Sequence, residues 1–171
     1  MGKNENLYFN SVFIISFIFI IFTNIFFNFE NSIIYGAADG ITYMKIAQAA
    51  PYISSDELIY HKAQRFIVPY FIGIISYFTK IEAYTIFRIC TFIFIISNLI
   101  LFIKIFKKLN IDINQRFYLF FLLIFNPYIT RYFLSLPTLI NDLTFIFSGS
   151  LLIYAFLENK KIFVYMAILI A

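Results

Sequence analysis

Hydrophobic positions in this chain come in long unbroken runs, separated by short polar and basic connections. Leu7–Phe29 offers 23 residues without a charge, about 34 Å as a helix against a hydrocarbon core of roughly 30 Å. It predicts a first transmembrane helix. Gly36-Ala37-Ala38 has the small residues of a signal-peptide cleavage site, but the run exceeds the usual apolar region of such a peptide, so an uncleaved anchor is the reading. Ala83–Phe106, interrupted by Arg88 and ending in Lys104, Lys107 and Lys108, predicts a long helix. Phe117–Phe125 begins another, broken at Asn126-Pro127. Leu143–Leu157 predicts a further helix, closed by Glu158-Asn159-Lys160-Lys161, with Ser148-Gly149-Ser150 as a small-residue patch suited to close helix contact. The last run, Ile162–Ala171, is too short to span a bilayer, which predicts that the chain is the N-terminal part of a longer protein.

One stretch, Tyr35–Thr79, is not simply lipid-soluble. Asp39-Gly40 opens an amphipathic helix to about Ala50, ended by Pro51. Ser54-Ser55-Asp56-Glu57 has the capping-box spacing, so a second helix is expected from Ser55, with Glu57, His61 and Arg65 on one face. Pro69 cannot donate to the Arg65 carbonyl, which predicts a kink. Phe66–Thr79 is 14 residues free of charge, about 21 Å, short for a full crossing.

Composition makes the class. The 171 residues are 62% hydrophobic and 13% charged, with mean hydropathy +0.86; a water-soluble domain carries about 25% charge. A net charge of +4 is what basic flanks of membrane helices produce and is no nucleic-acid signature. The single cysteine, Cys90, excludes an intramolecular disulfide and any cysteine-based metal cluster. The expected fold is therefore all-α: a polytopic transmembrane helix bundle of five or so segments in one membrane domain, residues 1–171. A juxtamembrane or re-entrant loop, residues 30–82, follows the first transmembrane helix. Counting basic residues leaves orientation open. If residues 66–79 dip in and return, Lys3, Lys104, Lys107, Lys108, Arg116, Lys160 and Lys161 lie inside, leaving six of the 13 basic residues outside. Full crossing with an external N-terminus puts nine inside. The first arrangement is preferred because its external cations fall in one long loop, where they can serve a ligand.

Candidate chemistry follows from that loop. Asp39 is either a helix cap or a carboxylate held at the membrane surface as general base or metal ligand. His61 and Arg65 either neutralise a phosphate or anchor a helix at the interface. Asp142, beside Asn141, is either a cap or a second carboxylate on the side of Asp39. The spacing Asp39-Gly40-x-x-Tyr43-x-x-Ile46-Ala47 after a first transmembrane helix, followed by His61-x-x-x-Arg65-Phe66-x-x-Pro69, resembles the start of GT-C-type integral membrane glycosyltransferases, which include mannosyltransferase-like and arabinosyltransferase-like enzymes. The resemblance covers about residues 7–157. It implies a catalytic acid or base at Asp39, a later external acidic residue at Asp142, and substrate contacts from Tyr43, His61 and Arg65. It also implies a polyprenyl-phosphate-linked sugar donor, an inner (plasma) membrane of bacterial type, and further C-terminal helices or a partner subunit. The motif departs at Gly40, where many relatives carry a bulky aromatic, and the chain is shorter than a full enzyme. The sequence has no His/Cys cluster for zinc, while a lone carboxylate-bound Mg²⁺ or Mn²⁺ leaves little trace. The rival from another class is a non-enzymatic small membrane subunit or a transporter fragment.

Overall fold

The computed structural model describes residues 3–26, 38–53, 65–126 and 130–170, and these are helical, with no strand among them. The helices are α1 (Lys3–Phe26), α2 (Ala38–Ala49), α3 (Ile67–Thr79), α4 (Ala83–Lys108), α5 (Ile113–Phe125), α6 (Thr130–Ser135), a 3₁₀ turn (Pro137–Leu139) that runs into α7 (Ile140–Glu158), and α8 (Lys161–Ile170).

Two of them are long and apolar enough to cross a membrane: Ala83–Lys108, and Pro137–Glu158 with its 3₁₀ turn. The apolar stretches Leu7–Thr23, Ile67–Thr79, Ile113–Phe125 and Lys161–Ile170 are shorter. The first crossing expected at Leu7–Phe29 is thus not one of the two: within the described residues its apolar stretch is Leu7–Thr23, and Phe27–Phe29 lie outside them.

α4 and α7 run parallel. Near their starts the Thr91 hydroxyl donates to the Pro137 carbonyl at 3.2 Å. Midway, Phe94 meets the Phe147 ring edge-on at 5.5 Å, and at their ends Lys108 pairs with Glu158 at 2.9 Å. A parallel pair needs a return path, and α5 with α6 supplies it. α5 starts at Asp112, whose carboxylate accepts the Asn114 amide, and stops at Phe125 beside Asn126. The Thr130 hydroxyl then donates to the Leu123 carbonyl at 3.1 Å, satisfying backbone that the break would leave bare. α1 rises alongside α5, Tyr8 against Phe117 and Phe19 against Phe125, with Glu5 tied to Lys107 at 3.4 Å. α8 doubles back along α7, held by the Ser148 hydroxyl donating to the Ala167 carbonyl at 2.6 Å.

The small patch on α7 makes a close helix contact, as its sequence predicts, through Ser148 and not through its glycine. Gly149 faces open space, with nothing within 4 Å of where its Cβ would stand; the contact is made by Ser148. An approach that needs glycine lies elsewhere. A Cβ on Gly73 of α3 would collide with the Ala47 carbonyl oxygen of α2 and the methyl of Ala50 just after it, so only glycine lets these helices meet at backbone distance.

α3 begins and ends at one end of the parallel pair. Its leading residue Arg65 reaches Asp142 in the first turn of α7, and its trailing residue Lys80, in the left-handed region at φ 59°, turns the chain into the start of α4. Pro69 sits in the first turn of α3; a first-turn amide has no intrahelical partner, so proline costs nothing there, and the segment ahead of Arg65, against which a kink would be measured, lies outside the described residues. The helix expected from Ser55 lies outside the described residues.

Large apolar side chains fill the core, Phe87, Phe120 and Ile140 among them, and others cover the outside, while several hydroxyls are buried. Ser16, Thr91, Thr144 and Ser148 are buried, whereas Ile18, Leu122, Phe145, Phe156 and Leu169 are exposed.

Candidate functional site

Two helix N-termini meet at the end of the bundle where α3 lies. Gly40, second residue past the start of α2, abuts the 3₁₀ turn before α7: a Cβ there would stand 2.6 Å from the Thr138 hydroxyl. This gives a physical reason for glycine at the position where the resemblance leads one to expect an aromatic. Because the contact is so close, Asp39 in the first turn of α2 and Asp142 in the first turn of α7 belong to one layer of the molecule. Carboxylates in first turns are favoured by the free amides and partial positive charge of a helix start. Asp39 is half-buried.

Arg65 joins this layer from the third element. Its Nη1 donates to Asp142 Oδ1 at 3.1 Å, with the two side chains 57% and 50% exposed. Exposed pairs of this kind are worth about 0.2–1 kcal/mol, so the bridge is one that a competing anion can open. Beside it, Asn141 is 8% exposed and its Nδ2 has no hydrogen-bond partner among the described residues. Its backbone carbonyl accepts from the Thr144 hydroxyl at 2.8 Å. A buried donor left unmade costs about 1–3 kcal/mol, so an oxygen ligand at this point is favoured.

Tyr43 stands differently. It is 2% exposed and packs in the main core with Met44, Ile72 and Phe87, on the buried side of α2. His61 lies outside the described residues, as does Glu57. Among the described residues no three His, Cys, Asp or Glu side chains come together. A cleft of about 250 Å³ opens at the same end, between the C-terminus of α2, α3 and the start of α4, with Gln48, Tyr77, Glu82 and Tyr84 among its walls.

Asn141 and Thr138 were not among the residues singled out from sequence. The signal available was the Asn-Asp pair opening an apolar run, where a polar residue one place before a helix-start carboxylate must find its own partner once buried.

Comparison of the chain with family models, curated proteins and solved structures gave no match.

Proposed function

We propose that the chain is an integral, multi-pass protein of a bacterial-type inner (plasma) membrane and part of a glycosyltransferase that takes its sugar from a polyprenyl-phosphate donor. The observation that carries the reading is the meeting of Arg65 with Asp142 in the same layer as the Asp39-bearing start of α2. Two long apolar helices and the outward-facing apolar side chains support the membrane part. The confinement of α3 to one end supports a loop, residues 30–82, that returns to the side it left.

In this reaction Asp39 takes the proton of an acceptor hydroxyl as that oxygen bonds to the anomeric carbon of the sugar. The bond from that carbon to the phosphate oxygen breaks, and its electron pair leaves with the polyprenyl phosphate. Arg65, drawn from Asp142 to the phosphate, stabilises the developing charge through a planar fork of donors, and the two helix starts add their amides. The Asn141 amide offers one more donor to an oxygen. Glu82, Gln48 and Tyr77 line a cleft suited to a hydroxylated acceptor. The polyprenyl tail lies in the bilayer against the apolar outer faces, which is why such a site belongs at a membrane surface.

The test is sugar transfer by the full-length protein in membranes supplied with a labelled lipid-linked sugar. Asp39→Asn is expected to lower the rate about 10²–10⁴-fold, the usual weight of a positioned base. Near wild-type transfer by that variant sinks the proposal.

The rival reading, a non-enzymatic membrane subunit or transporter fragment, is favoured by the burial of Tyr43 and by Arg65 being already paired. It makes the same residues clamps, and predicts that Asp39→Asn and Arg65→Gln alter stability alone.

A further inference from the structure

At the opposite end of the parallel pair, the last turn of α4 and the last turn of α7 enclose an open cleft of about 480 Å³, with Lys104, Lys107, Lys108, Asn110, Tyr154 and Glu158 on its walls. The three lysines are not equivalent. Lys107 is held by Glu5 of α1 at 3.4 Å and Lys108 by Glu158 at 2.9 Å. Lys104 has no carboxylate within ion-pair range among the described residues; its ammonium stands over the Tyr154 ring, 5.8 Å from the centroid. Lys160 also lies close enough to bear on Glu158 electrostatically. A cleft with three ammonium groups and one carboxylate on its walls carries net positive charge, and Lys104, which also bears on Glu158 electrostatically, is the one of the three without a direct ion pair among the described residues.

The face of α4 that carries Lys104 changes character toward the middle of the helix. Residues four, seven and eleven places earlier share that face; they are Ile100, Ser97 and Ile93, and Ile93 is 54% exposed. A phosphate in the cleft therefore has an uncharged helix face beside it, partly exposed at Ile100 and Ser97 and exposed at Ile93, about 16 Å long, against which an acyl chain can lie. A soluble phosphate compound makes no use of that face, whereas a membrane lipid uses both.

We infer that this cleft is a binding site for the phosphodiester headgroup of an anionic phospholipid, with Lys104 as its anchor and Lys108 adding positive charge beside it while paired with Glu158. The site rests on the membrane part of the proposed function and is independent of the sugar-transfer part.

The experiment uses the protein purified in a neutral detergent and presented with phosphatidylglycerol or phosphatidylcholine, counting bound lipids by native mass spectrometry, with flotation on vesicles of the same lipids alongside. Phosphatidylglycerol is expected to bind saturably and in preference to phosphatidylcholine. Lys104→Gln is expected to weaken it about fivefold, the worth of one cation near an anionic lipid surface. Lys104→Arg keeps the binding, and Lys80→Gln, at the far end, leaves it unchanged. Equal binding of both lipids overturns the site, as does an equal loss in Lys80→Gln, which marks general charge attraction. Full displacement by millimolar inorganic phosphate also overturns it, since the tail then contributes nothing. Failure to float even with phosphatidylcholine vesicles overturns the membrane reading and the site with it, whereas flotation without lipid preference overturns the site alone.

Discussion

The two ends of the α4–α7 pair reach their charge by opposite routes. At the end with Asp142, the charged groups come from three separated segments, around residues 39, 65 and 142, and tertiary contacts bring them into one layer: Gly40 on Thr138, Gly73 on Ala47, Arg65 on Asp142. At the other end Lys104, Lys107 and Lys108 come from little more than one turn of a single helix. Cations in a final turn are favoured by the helix dipole and by the boundary between lipid and water, so local rules account for their presence. No local rule brings Arg65 to Asp142 across 77 residues of sequence. That contact is specified by packing.

The comparison is broken or sharpened by variants at each end. The largest effect is expected in sugar transfer: Asp39→Asn loses about 10²–10⁴-fold, while Lys104→Gln, measured in the same membranes, keeps its rate. An equal loss in both would erase the distinction between the ends. Next comes Gly73→Ala, which drives a methyl into the Ala47 carbonyl and the Ala50 side chain. It is expected to cost about 1–3 kcal/mol in reversible unfolding from detergent micelles, the usual range for overpacking. Gly149→Ala is the counterpart on an open face and is expected to stabilise by about 0.5–1 kcal/mol, because nothing meets the new methyl and helix propensity improves. Smallest is the bridge. A double-mutant cycle of Arg65→Gln and Asp142→Asn is expected to give a coupling of about 0.2–1 kcal/mol in stability. A coupling well beyond that range would mean the pair is a desolvated clamp, which favours the structural reading of Arg65.

Much of the helical layout was legible in the sequence, because runs without charge and their polar stops are local. α2 ends before Pro51 as the proline requires, α4 begins at Ala83, and α5 stops at Asn126. Pro69 suits a first turn as well as a bend, and α3 has it in its first turn. The patch Ser148-Gly149-Ser150 was legible as small but not by face: a glycine announces room, and only the neighbouring helices say whether anything fills it. The site was legible residue by residue, Asp39, Arg65 and Asp142 each standing out as charge in an apolar setting. Their association was not, since sequence spacing reports which residues share a helix face and is silent on which helices touch. Tyr43 illustrates the same gap: its spacing from Asp39 suggested a partner in binding, and its ring lies in the core.

The parallel pair also works as a spacer of fixed length. Pinned at Thr91 and again at Lys108, it holds its two polar ends about 26 Å apart, 17 residues of helical rise. At ordinary ionic strength charges at that distance are screened from one another by water, with a Debye length of about 8–10 Å. Whatever occupies one end can therefore be felt at the other only if the rods themselves tilt or slide.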